Sequence, residues 1–200
     1  MLKVGMVGVG CISGIYLKNF RDIFKDVQLV AVCDLIRERA EKAQKEWKFA
    51  DKIHEIIDAA NMPNGVLAGN HDTGNTPADL SNFNRYFGKG RFFRNNWYGG
   101  SLDNNSCHYD LITLADTDYL FLFLSNGIEA DERTIAWANA VCKAYPERSV
   151  ILCTHSYLDT DGTYVSNPQD VNAYNHSRAK EIMENIIVPN KNIVAVLCGH

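Results

Sequence analysis

The chain has 200 residues, of which 46% are apolar and 22% charged, with a net charge of -4. That is ordinary soluble globular composition and excludes a disordered chain, while no apolar run approaches the roughly 20 residues needed to cross a bilayer. Residues 1–46 carry eight Lys/Arg against six Asp/Glu and residues 47–200 twelve against eighteen, so neither part has the basic excess of a nucleic-acid binder. Glycines at 5, 8, 10 and 14 interrupt the N-terminal apolar run, and no cleavage-site pattern follows it. The expectation is a soluble, cytoplasmic protein without nucleic-acid or membrane partners. Six scattered cysteines (11, 33, 107, 142, 153, 198) contain no C-x-x-C pair and read as reduced core residues.

In chain order, residues 3–9 alternate small and β-branched apolar side chains into Gly8-Val9-Gly10. An amphipathic run from Ile12 to about Phe24 then leads to Val27–Cys33, a strand, helix, strand pattern. Asp34 follows Gly10 by 24 residues, near the spacing at which a carboxylate meets a nucleotide ribose. Gly8 and Gly10 would let backbone approach a pyrophosphate, and Ser13 stands where a third glycine is usual. The bland alternative is a tight strand-to-helix turn that binds nothing.

The wording from Lys3 to Leu17, Val30 to Asp34 and Glu38 to Glu41 resembles the Gfo/Idh/MocA family of NAD(P)-dependent oxidoreductases over roughly the first 45 residues. The resemblance implies that Gly8, Gly10 and Ser13 lie at the cofactor phosphates and Asp34 at the ribose, with NAD as the cofactor. The family's Glu-Lys-Pro motif and substrate domain have no counterpart, so hydride transfer is not expected.

Charged residues from Arg37 to Lys52 suit a solvent-facing helix, and Ile53, Ile56, Ile57 and Ala60 continue its spacing until Asn61-Met-Pro-Asn-Gly65 stops it. A junction is expected near residue 46, dividing the chain into 1–45 and 46–200. Gly65–Ala68 reads as a short strand leading into Gly69-Asn70-His71-Asp72. The segment 73–106 is rich in Asn, Gly and aromatics and reads as loops. Its Arg85, Arg91 and Arg94 would suit either substrate phosphates or ordinary solvation. Tyr109–Leu114 and Asp118–Leu124 read as a strand pair, Glu129–Tyr145 as a helix ended by Pro146, and Ser149–Cys153 as a strand before Thr154-His155. A loop over 156–175 has Asp159, Asp161 and Asp170 in no EF-hand spacing. A helix over Ser177–Ile187 then feeds the strand Asn192–Cys198 before Gly199-His200.

Gly-Asn-His-Asp, then Thr-His, then Gly-His, each after a predicted strand and in this order, resembles the metal-site pattern of calcineurin-like metallophosphoesterases, supported by the wording of Tyr86–Phe92, Trp97–Ser101 and Trp137–Val141. The resemblance implies an α/β fold with a layered mixed sheet, here incomplete and preceded by a Rossmann-like βαβ unit. It implies Asn70, His155 and His200 as ligands of one divalent metal (Mn, Fe or Zn type). It makes His71 the proton donor to a small-molecule phosphoester's leaving group, with Asp72 behind it.

The pattern's opening Asp-x-His and Gly-Asp-x-x-Asp do not precede Gly69, and its closing Gly-His-x-His is present only to His200. A grafted sheet would offer Asp34 as a substitute for the lost bridging carboxylate. The leading function by ancestry is metal-dependent phosphoester hydrolysis, with impaired or absent turnover expected. The alternatives are an NAD(P)-binding oxidoreductase-type fragment and a recombined fragment without activity, the last ranking first as a statement about the molecule. Oligomeric state is not legible.

Overall fold

The computed structural model describes residues 2–7, 27–33, 41–73, 76, 78–158, 162–164 and 178–199, and the chain divides into two compact units, Met1–Ala50 and Asp51–His200. In the first unit, β1 (Leu2–Val7) pairs in parallel with β2 (Val27–Cys33), from Leu2 opposite Val27 to Val7 opposite Cys33 with a register shift between Val4 and Gly5. Parallel neighbours need a crossover of a dozen or more residues, and the intervening 8–26 are long enough to supply one. The helix expected over 12–24 lies outside the described residues. Helix α1 runs from Glu41 to Ala59.

The second unit is mixed α/β. Helices α2 (Ser81–Phe87) and α3 (Lys89–Phe92) precede β3 (Tyr98–Leu102). A left-handed turn at Asp103, Asn104 and Asn105 (φ 44°, 54° and 85°) leads to β4 (Cys107–Leu114). Then follow β5 (Thr117–Leu124), α4 (Glu132–Ala144), β6 (Ser149–Thr154), α5 (Ala179–Ile182) with a wider π turn over Met183–Ile187, and β7 (Ile193–Leu197). The sheet order is β3-β4-β5-β6-β7, antiparallel through the first three strands and parallel through the last three. Ala115 and Asp116, both at positive φ (47° and 64°), make the two-residue β4–β5 turn, whose twist matches that of the strands.

Strand alternation gives the sheet two unlike faces. On one face Leu120, Leu122 and Leu124 of β5 and Val150 and Leu152 of β6 pack with Ala138, Val141 and Cys142 of α4 and with Ile182 and Ile186, and all of these are buried. The other face carries His108 and Asp110 of β4, Phe121 and Phe123 of β5, and Ile151 and Cys153 of β6, which the register aligns in rows.

Three expectations need correction. Gly65–Ala68 is not a strand, because 62–69 has no regular pairing. Both lateral sides of β5 are already taken by β4 and β6, so the segment lies across the sheet's face, where a Cβ on Gly65 would stand 2.1 Å from the Phe123 ring. The stretch 73–106 is not all loop, since Phe83, Phe87 and Phe92 bury one side of α2 and α3. The helix expected from Glu129 starts at Glu132, with Asp131 extended before it and Glu129 buried. Among the described residues no helix is long and apolar enough to cross a membrane. Cys107, Cys142, Cys153 and Cys198 are free thiols, and burial pushes those of Cys107 and Cys153 up to about 12.

Candidate functional site

His155 leaves β6 directly after Thr154, and Asn70 reaches it from the segment on the sheet face. Asn70 Oδ1 lies 2.8 Å from His155 Nε2, across 85 residues of sequence. With Oδ1 as acceptor, Nε2 carries the proton and donates it. Asn70 is buried while His155 is partly open.

Gly69 makes this approach feasible. A Cβ there would stand 3.0 Å from the His155 ring and 3.4 Å from an Asp72 oxygen, so an added methyl would press on the imidazole, and the ring or the turn would have to give by a few tenths of an ångström. The Asp72 carboxylate accepts the Gly69 N–H at 2.8 Å, and the Asp72 N–H donates to the Gly69 carbonyl at 3.1 Å. Together they close a tight turn that projects His71 into solvent. Burial raises the Asp72 pKa, opposed by the Gly69 hydrogen bond and by His71. Asp72 thus shapes the motif's backbone and lies close enough to His71 to feel its charge.

On the other flank, Gly199 N–H donates to the His155 carbonyl at 3.0 Å, so Gly199 follows β7 at the same end of the sheet. His200 lies outside the described residues, as do Gly8, Gly10, Ser13 and Asp34. Among the described residues no group of three His, Cys, Asp or Glu is placed to hold a metal ion. The donors brought together are one amide oxygen and one imidazole. Their 2.8 Å separation suits neighbouring ligands on one ion, since bonds of about 2.1 Å at right angles leave about 3 Å between donors.

The arginines divide. Arg91 pairs with Asp51 and, at 2.8 Å, with Asp58, and its guanidinium lies 5.4 Å from the Phe87 ring centre, so it fastens α1 to α2 and α3. Arg85 and Arg94 lie over Tyr86 and Phe93. Trp97 is buried, and Tyr98 donates to Asn105 Oδ1 at 2.8 Å; both serve packing.

Sequence reasoning passed over Ser125 and Asn126, which clasp Ala68: its N–H donates to Ser125 Oγ at 3.0 Å and its carbonyl accepts the Asn126 N–H at 2.9 Å. The only sequence signal is a pair of small polar residues directly after the apolar run Phe121–Leu124. It also passed over His108 and Asp110, buried 3.9 Å apart. In the sequence they stand two apart at the head of a run that continues as Leu111-Ile112, which is the signal that was available.

Gly65→Ala should lower stability by about 1–3 kcal/mol, the usual cost of overpacking. The added methyl meets a Phe123 ring already stacked 4.4 Å from His108. Urea unfolding of the variant checks this, and a loss below about 0.5 kcal/mol, within the range of ordinary surface substitutions, would show that the segment does not press on Phe123.

Set against known proteins, the chain matches no protein-family model and no solved structure. It is similar to a Bacillus subtilis (strain 168) protein, YvnB, described as uncharacterized, with 40% identity over 156 residues. Those residues are 78% of this chain and 11% of that relative, so the chain spans a small part of the relative's length.

Proposed function

We propose that the end of the sheet where Asn70 meets His155 is a single-ion site for a divalent metal, serving slow hydrolysis of a small phosphoester. The observation that carries this reading is the 2.8 Å approach of Asn70 Oδ1 to His155 Nε2, together with the order of the three motifs. When bound, the metal supplies a Lewis acid that activates water and offsets charge on the phosphoryl oxygens.

The chain's own part is threefold. Asn70 Oδ1 and His155 Nε2 present donors, which requires the His155 proton to move to Nδ1 so that Nε2 offers its lone pair. Asp72 holds the Gly69 turn that sets the angle of approach. His71, exposed on the same turn, delivers a proton to the departing oxygen. A donor set of imidazole and amide without a carboxylate favours zinc or another borderline ion over Mg²⁺ and binds it weakly.

Thermal and urea unfolding with Mn²⁺, Zn²⁺ or NAD, alongside hydrolysis of p-nitrophenyl phosphate, tests the reading. At 100 times its dissociation constant a metal should add about 2.7 kcal/mol to unfolding, and Asn70→Ala or His155→Ala should weaken binding by about tenfold or more. No metal response in the wild-type chain would end the proposal.

A second reading rests on the parallel pairing of β1 with β2: the first unit is a nucleotide-binding βαβ, with Gly8, Gly10, Ser13 and Asp34 around NAD. A stabilisation by NAD that Asp34→Ala abolishes supports it, and a metal-only response counts against it.

A further inference from the structure

Asn70 is delivered by a segment without strand pairing, so something other than a ladder must fix its position. Two residues before it, Ala68 is fully buried, and a buried backbone N–H or carbonyl left unpaired costs about as much as a lost hydrogen bond. Both of Ala68's polar groups are met from one place. Its carbonyl takes the Asn126 N–H at 2.9 Å, and its N–H is taken by the Ser125 hydroxyl at 3.0 Å.

Ser125 is itself fully buried and sits one step beyond Leu124, which pairs with Thr154, the residue before His155. Ser125 and His155 are therefore the residues that directly follow a paired couple of β5 and β6. One side chain grips the segment at Ala68, and the other meets the same segment at Asn70.

We infer that Ser125 is a positioning residue: its hydroxyl stands in for the missing strand ladder and holds the Gly69-Asn70 turn at the distance where Asn70 meets His155. The inference deepens the proposed metal site and rests on that reading for its catalytic consequence alone. A hydroxyl at this point has a structural reason no apolar residue could satisfy. An alanine would leave the Ala68 N–H buried without an acceptor and free the segment to drift along the sheet face.

The test compares the His155 ring resonances in the wild-type chain with those in S125A, S125T and N70A, without metal. V150A serves as a control, destabilised by loss of core volume at the far end of β6. S125A is expected to move the His155 resonances most of the way toward their positions in N70A. S125T, which keeps the hydroxyl, and V150A should leave them near wild type. Mn²⁺ affinity should fall about tenfold in S125A and stay unchanged in V150A.

His155 resonances that are wild-type-like in S125A, or N70A-like in S125T, would overturn the positioning role. Because that comparison needs no metal, it decides the inference even if wild-type protein fails to bind Mn²⁺, an outcome that removes only the proposed function.

Discussion

Removing either member of the buried His108–Asp110 pair is expected to put a slope into the pH dependence of stability that the wild-type pair conceals. Burial alone pushes Asp110 up to about 7 and His108 down to about 3, from unfolded values of about 3.9 and 6.5. Tyr98 of β3 and Cys153 of β6 also face Asp110, but both are protonated over this range.

Between about pH 4 and 6.5 the unfolded chain carries one proton on the pair, on His108, and the folded chain also carries one, on Asp110. The proton counts match, so this pair contributes no pH slope there. In His108→Phe only Asp110 remains. Its folded pKa is raised, so its contribution is fully present below about pH 4 and is lost at about 1.4 kcal/mol per pH unit as pH rises toward 7. In Asp110→Asn only His108 remains, and because its folded pKa is depressed, stability falls with the same slope as pH drops from about 6.5 toward 3.

His108→Phe is also the gentler change. The ring sits between Phe92, Tyr98 and Phe123 with centroids 6.2, 6.0 and 4.4 Å away, and neither ring nitrogen has a hydrogen-bond partner. Urea unfolding at pH steps from 3 to 8, taken as the difference from wild type, reads both slopes. Two variants that run parallel to wild type throughout would show that the pair does not exchange a proton on folding.

Leu122→Ala should cost about 2–5 kcal/mol. Leu122 is fully buried at the middle of β5, flanked in its row by Tyr109 and Leu152, under the helices that cover this face. A loss of that size is a large part of the 5–15 kcal/mol that holds a typical domain together. Leu122→Met, which keeps the volume, should lose less than about 1.5 kcal/mol. Equilibrium unfolding separates the two, and an alanine cost below about 1 kcal/mol would mean that the row can collapse around the gap.

The parts of the fold legible in the sequence are those written as apolar runs or helical spacing between clear stops. Continuous apolar runs marked Asp118–Leu124 and Ser149–Cys153 as strands of a well-covered sheet, and helical spacing closed by Pro146 marked α4 with a start three residues early. Gly65–Ala68 misled because four apolar or small residues before a turn look alike whether they pair in a sheet or lie across it. What separated the cases was the occupancy of both sides of β5, a long-range fact absent from the local text. The helices within 73–106 were hidden among turn-forming residues, although Phe83 and Phe87 stand one helical turn apart.

At the candidate site, Asn70 and His155 drew attention because Gly-Asn-His-Asp and Thr-His carry unusual residue types, although only His155 follows a strand. Ser125 was not, since a serine after a strand reads as an ordinary turn until its partner 57 residues away is known.

β7 is an outermost strand of the five, and it turns Val194 and Leu197 toward solvent. An apolar border of this kind is a template on which another extended chain can grow, in register and without a folding nucleus of its own. Within the described sheet, the expected result is association of copies through this border as concentration is raised.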